Sequence, residues 1–159
     1  MKFKILSRAK IEKISQQPFE EGTALISITD AGYHFAELKH QPEHLLQLAF
    51  DDVDGDVFVD ELGRKPTTEE LKLIEGKYNM LSDEQAKQIA EFYFKICKDA
   101  KMLIVQCEHG QSRSAAIGAA ILEFRSRKGI HIFADERFCP NKMVYHKVFN
   151  QLNIQNGGM

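Results

Sequence analysis

Residues Lys101 to Arg127, KMLIVQCEHGQSRSAAIGAAILEFRSR, decide how the rest of the chain is read. The stretch opens with an apolar run, Met102 to Val105, too short for a helix and typical of a strand buried on both faces. It turns through Cys107-Glu-His-Gly-Gln-Ser-Arg113 and continues from Ser114 as an Ala-rich helix former. A thiol at a strand end, a short loop and a helix start together make an anion-binding device. Backbone N–H groups of the loop and first helical turn converge on one point, and the helix dipole adds positive potential there. Such surroundings favour a thiolate at Cys107. Arg113 adds a planar fork that can hold a pair of anionic oxygens, and Ser114 brings a hydroxyl beside the sulfur. A lone cysteine is more often a small core residue. The apolar strand before it, the glycine inside the loop and the helix after it favour the chemical reading.

Working outward, Lys2 to Leu6 alternates as a first strand, and Ser7 caps a helix that runs to about Ile14 before Pro18 stops it. Thr23 to Ile28 is a β-branched second strand, followed by turn chemistry at Thr29-Asp30-Ala31-Gly32, with Asp30 either capping the segment Tyr33 to His40 or lying on a loop that borders the candidate site. Leu45 to Phe50 is a third strand, ending in the acidic cluster Asp51-Asp52-Val53-Asp54-Gly55-Asp56. Residues 57–81 read as an inserted segment, broken at Gly63-Arg-Lys-Pro66 and carrying a capping box, Thr67 to Glu70. Ser82-x-x-Gln85 starts a long amphipathic helix to about Lys98, with Ile89, Phe92, Tyr93 and Ile96 on its apolar face. After the central stretch, Gly129 is expected as a helix C-cap. A last helix carries Val144, Val148 and Leu152, and 153–159 reads as a flexible, polar, Gly-containing tail.

At 159 residues the chain suits one domain with a proper core, residues 1–152. Hydrophobic content of 43%, charged content of 28% and a net charge of −2 are ordinary for a soluble protein. They provide no basic footprint for nucleic acid and no polybasic membrane patch, and no apolar run approaches a membrane span. Three cysteines do not make a disulfide framework. A cytoplasmic, reducing setting and a monomer are expected.

Cys107-x5-Arg113-Ser114, with Gly110 inside, resembles the signature loop of the cysteine-dependent protein tyrosine phosphatases. It is most similar to the small dual-specificity branch and its bacterial and viral relatives. The resemblance implies an α/β fold, a single domain with a central, mostly parallel sheet of about four to five strands flanked by helices. It implies a phosphate-binding loop of Glu108, His109, Gly110, Gln111, Ser112 and Arg113, with Cys107 as nucleophile and Ser114 steadying the departing thiolate. It also implies a general acid just past the strand that precedes the long helix. Asp52 is favoured there, with Asp51 beside it and Asp54 further along. Arg137-x-x-Pro140-Asn141 is a second point of resemblance, placing Asn141 near the loop, where it also suits an N-cap. One departure is Gln106, where the family has a histidine that orients the loop and tunes the thiol. The implied activity is hydrolysis of phosphotyrosine, extending to phosphoserine or phosphothreonine, through a cysteinyl-phosphate. It needs no metal and no cofactor, and takes a phosphorylated protein or small phosphomonoester as substrate. The loop interior lacks the lysines of phosphoinositide-directed relatives, which disfavours a lipid headgroup.

Two rivals remain. Asp52-Val-Asp54-Gly-Asp56 is similar to the nucleophile motif of the haloacid dehalogenase phosphatases, which work by an aspartyl-phosphate and Mg2+. A catalytically weak phospho-binding module would use the same cradle to hold rather than cleave. An EF-hand loop fails, because the sixth position from Asp52 is Val57 and the twelfth is Gly63. The six histidines have no metal spacing.

Overall fold

The computed structural model describes residues 1–54 and 62–157. Four strands form one parallel sheet: β1 (Lys2–Ser7), β2 (Thr23–Thr29), β3 (His44–Ala49) and β4 (Met102–Cys107), in the order β1-β4-β2-β3. The central pair is the most apolar. All seven residues of β2 are buried, as are five of the six in β4, as expected of parallel strands covered on both faces. The architecture is the single-domain α/β fold that the sequence implies, with four strands.

Period-2 alternation sorts the helices onto the two faces. On one face Leu25 and Ile104 pack with Ile11 of the short helix α1 (Arg8–Ile14). On the other, Ile26, Ile28, Leu103, Val105 and Cys107 meet three helices: α3 (Asp83–Ile96), α4 (Arg113–Ser126) and α6 (Lys142–Gly157). Helix α4 is small-residue-rich and buried from Arg113 to Ile121, so it sits directly under the sheet. The chain also forms helix α2 (Thr68–Tyr78) and the one-turn α5 (Ile130–Phe133). Among the described residues no helix is long and apolar enough to cross a membrane.

Local chemistry explains most boundaries. The Ser7 hydroxyl accepts from Lys10 N and caps α1. Both capping boxes form, Thr67 with Glu70 and Ser82 with Gln85. Of the segment 57–81, residues 57–61 lie outside the described residues. From Thr68 it is helical, ending at Asn79, whose φ is 51°.

Four expectations need correction. Strand β3 starts and ends one residue earlier than its apolar run suggests, because Phe50 turns into the core as a buried plug. The Asp30 carboxylate does not cap residues 33–40; it accepts from Arg113, which is its alternative place on a loop bordering the site. Helix α4 ends in the left-handed Arg127 (φ 59°), not at Gly129. Gly129 serves close approach instead, since a Cβ there would lie 2.6 Å from the Ala119 carbonyl oxygen. Finally, α6 continues through 153–157, the start of the expected tail. Leu152 is buried, Asn153 Nδ2 donates to Phe149 O, and Gln155 Nε2 reaches Lys87 O at 3.2 Å.

Candidate active site

The parallel sheet directs the ends of β4, β2 and β3 to one edge of the molecule, where ligands bind in open α/β folds. Cys107 ends β4, Asp30 follows β2, and Phe50 to Val53 follow β3. Glu108 to Ser112 then bridge from Cys107 to the first turn of α4.

The bridge has a specific shape because its neighbours impose it. Gly110 adopts φ 68°, and a Cβ there would lie 2.6 Å from both Leu6 C and Ser7 N at the end of β1. No other residue fits that seat. Glu108 accepts from Arg8 Nε at 2.6 Å, while Arg8 Nη2 also donates to Thr29 Oγ1 and the His34 carbonyl. The segment before α6 holds the far side: Cys139 N donates to Gln111 O and Asn141 N to Ser112 O. His109 and Gln111 point outward and are exposed.

Within this frame the sulfur of Cys107, 2% exposed, lies 3.0 Å from Ser114 Oγ. Ser112 occupies the N-cap position of α4 without using its hydroxyl as a cap, and no acidic residue lies in the first turn. The first turn of α4 therefore supplies no carboxylate of its own to offset the positive end of the helix dipole beside the thiol. Arg113 is 4% exposed, and its Nη1 donates to both Asp30 Oδ1 (2.7 Å) and the Phe50 carbonyl (2.8 Å). Its Nε is buried with no hydrogen-bond partner.

The two neighbouring aspartates separate. Asp51 Oδ1 accepts from Ala31 N, and its own N–H donates to Asn79 O, so it ties the loops after β2 and α2 together. Asp52 Oδ1 accepts from Ser112 Oγ (2.8 Å) and Asn141 Nδ2 (2.9 Å), which places it against the phosphate-loop candidate. Asn141 does both things the sequence suggests, because its Oδ1 also accepts from Val144 N and caps α6. Arg137 is not in the cluster. It pairs with Asp135, whose carboxyl it holds at about 2 through a bidentate contact at the surface.

Gln106 lies in register with Ser27, fully buried. Its Oε1 accepts from Ser27 Oγ at 2.6 Å, and its Nε2 donates to the Cys107 carbonyl at 3.0 Å. The amide thus braces the base of the loop from β2.

Cys107, Ser112, Arg113, Ser114, Asp52 and Asn141 are thereby brought together. The sequence reading missed Arg8 and Ser27 and favoured a cap for Asp30 over the site-bordering loop on which it lies. Their partners lie 100, 79 and 83 residues away, so no local spacing marks them. The position of Asp30 at a strand end on the loop side of the sheet was the available signal. Among the described residues no group of His, Cys, Asp and Glu could hold a metal ion.

This parallel four-stranded sheet, with its central strand running into such a loop, is a fold the chain shares with a solved protein tyrosine phosphatase structure. Among solved structures the chain is similar to Tk-PTP in its active form, with 14% identity over 94% of this chain and 88% of that one, and a TM-score of 0.50. Human DUSP28 aligns with 14% identity over 99% of this chain and 95% of that one, with a TM-score of 0.49. No family model and no curated protein sequence matches the chain.

Proposed function

We propose that this chain hydrolyses phosphomonoesters, phosphotyrosine first and phosphoserine or phosphothreonine more slowly, through a cysteinyl-phosphate. The observation that carries the reading is Arg113. Its Nη1 is fixed by Asp30 and the Phe50 carbonyl, while its buried Nε has no protein partner. A buried guanidinium N–H without a partner is costly, and an equatorial phosphate oxygen is the natural acceptor for it.

The Cys107 thiolate attacks phosphorus in line, forming the S–P bond as the P–O bond to the leaving group breaks. Arg113 and the loop amides hold the equatorial oxygens. Asp52, with Oδ1 held by Ser112 and Asn141, carries its proton on Oδ2 and passes it to the departing oxygen. The resulting carboxylate takes a proton from water, which attacks phosphorus and releases inorganic phosphate. The Ser114 hydroxyl donates to the returning thiolate. A reducing compartment, the cytoplasm, suits a chain with three free cysteines.

Turnover of para-nitrophenyl phosphate in EDTA tests the reading. Activity is expected to persist there, to vanish in Cys107→Ser, and to leave vanadate binding to that variant measurable. Turnover that requires added Mg2+ would favour aspartyl-phosphate chemistry, and binding without turnover would leave a phospho-binding module.

A further inference from the structure

Beyond this activity, we propose that the free edge of β1 binds an extended acidic peptide segment that also carries apolar side chains, which adds to the sheet as a further strand. Strand β1 pairs with β4 alone and is an edge of the sheet. The Lys2 amide donates to the Lys101 carbonyl. In a parallel ladder, therefore, Lys2, Lys4 and Leu6 aim their backbone groups at β4, while Phe3 and Ile5 aim theirs outward. Among the described residues nothing bonds those outward groups.

A groove lies beside this edge on each face of the sheet. On the α1 face, a groove of about 540 Å3 is floored by Met102 and Ile104 and rimmed by Lys4, Lys10 and Lys13, with Glu20 as the one carboxylate. These lysines are exposed and form no ion pair among the described residues. At the edge itself and toward α4, a groove of about 450 Å3 is lined by the apolar Phe3, Ile5, Ile132 and Phe138 and by the basic Lys4, Lys10 and Arg137, and its acid, Asp135, is already paired with Arg137. Successive side chains of a strand point to opposite faces. A strand laid along β1 would drop alternate side chains into two grooves that each combine apolar walls with the basic Lys4 and Lys10.

Charge selects the occupant. Lys2 and Lys4 would face one another if two copies paired through this edge, a familiar device against self-association, whereas a carboxylate-bearing strand is attracted. The chain as a whole carries −2, so this basic strip is local and not a property of the entire surface. The mode is strand addition, with backbone bonds supplying affinity and the two grooves supplying specificity.

The inference needs only the fold, and its test is independent of turnover. A short labelled peptide alternating glutamate and valine is titrated with the protein by fluorescence anisotropy in saturating vanadate. Binding is expected to persist in vanadate, to be absent for the lysine–valine counterpart, and to weaken about tenfold or more in Lys4→Glu/Lys10→Glu. These positions are exposed, so the variant should keep its thermal transition. N-methylating the peptide at one alternate set of amides is expected to abolish binding, and at the other set to leave it. Equal binding of both methylated sets would overturn strand addition. Displacement by vanadate would move the peptide to the Cys107 loop. Capture of anionic-lipid vesicles without peptide binding would make the strip a membrane contact and overturn the proposal.

Discussion

Asp51 and Asp52 are adjacent, chemically identical and differently employed. Asp51 joins two loops through backbone groups, while Asp52 is held by the two side chains that border the Cys107 loop. Asp52→Asn is expected to lower kcat on phosphotyrosine by about 100-fold or more, the usual scale for a lost general acid. It should affect an activated aryl phosphate far less, because a good leaving group departs without a proton. Asp51→Asn should lower thermal stability with little dependence on the leaving group. Kinetics across a series of aryl phosphates separate these outcomes, and the leaving-group dependence appearing at Asp51 would reverse the assignment. Cys107, Arg113 and Ser114 were legible in the sequence because strand, loop and helix present them from one continuous segment. Asp30 and Arg8 were less so, because each acts on that segment from a different turn of the fold, and an Asp two residues before a Gly reads locally as turn chemistry.

At the scale of elements, two glycines show how the cradle is built between neighbours. Gly110 sits against the end of β1 with φ 68°, and Gly129 sits against α4 with an ordinary helical φ of −58°. Gly129→Ala must displace the Ala119 carbonyl and the Glu123 side chain, costing about 1–3 kcal/mol by overpacking. Gly110→Ala adds a left-handed conformation worth about 1–2 kcal/mol to a clash with backbone that has no room to move. Both variants should show lower midpoints in urea. Gly129→Ala should keep its kcat, whereas Gly110→Ala should lose turnover even below its melting temperature. Equal activity in the two would mean that β1 does not shape the loop. The helices themselves were readable from caps and periodicity. The misreading of Gly129 has a plain cause: a glycine near a helix end suits both a C-cap and a close contact, and only the neighbour decides.

For the whole molecule, the parallel strands and their flanking helices follow from apolar runs separated by amphipathic segments, but the sheet order does not. The first strand lies at an edge beside the last, and Lys2 pairs with Met102, 100 residues later. Nothing in either strand's own pattern specifies that partner. Closing so long a loop costs about 4 kcal/mol of chain entropy before the contact repays it, so β1 should dock late, after β2, β3 and β4 have assembled with α3 and α4. Because Gly110 is seated on β1, refolding from urea should restore far-ultraviolet circular dichroism before it restores fast alkylation of Cys107, and simultaneous recovery would contradict that order. On the proposed mechanism, a chain still in the act of folding would have its cysteine in place before the cradle that is to use it. If Cys107 is the nucleophile proposed above, its sulfur would become vulnerable to oxidants only once the finished molecule has a use for it.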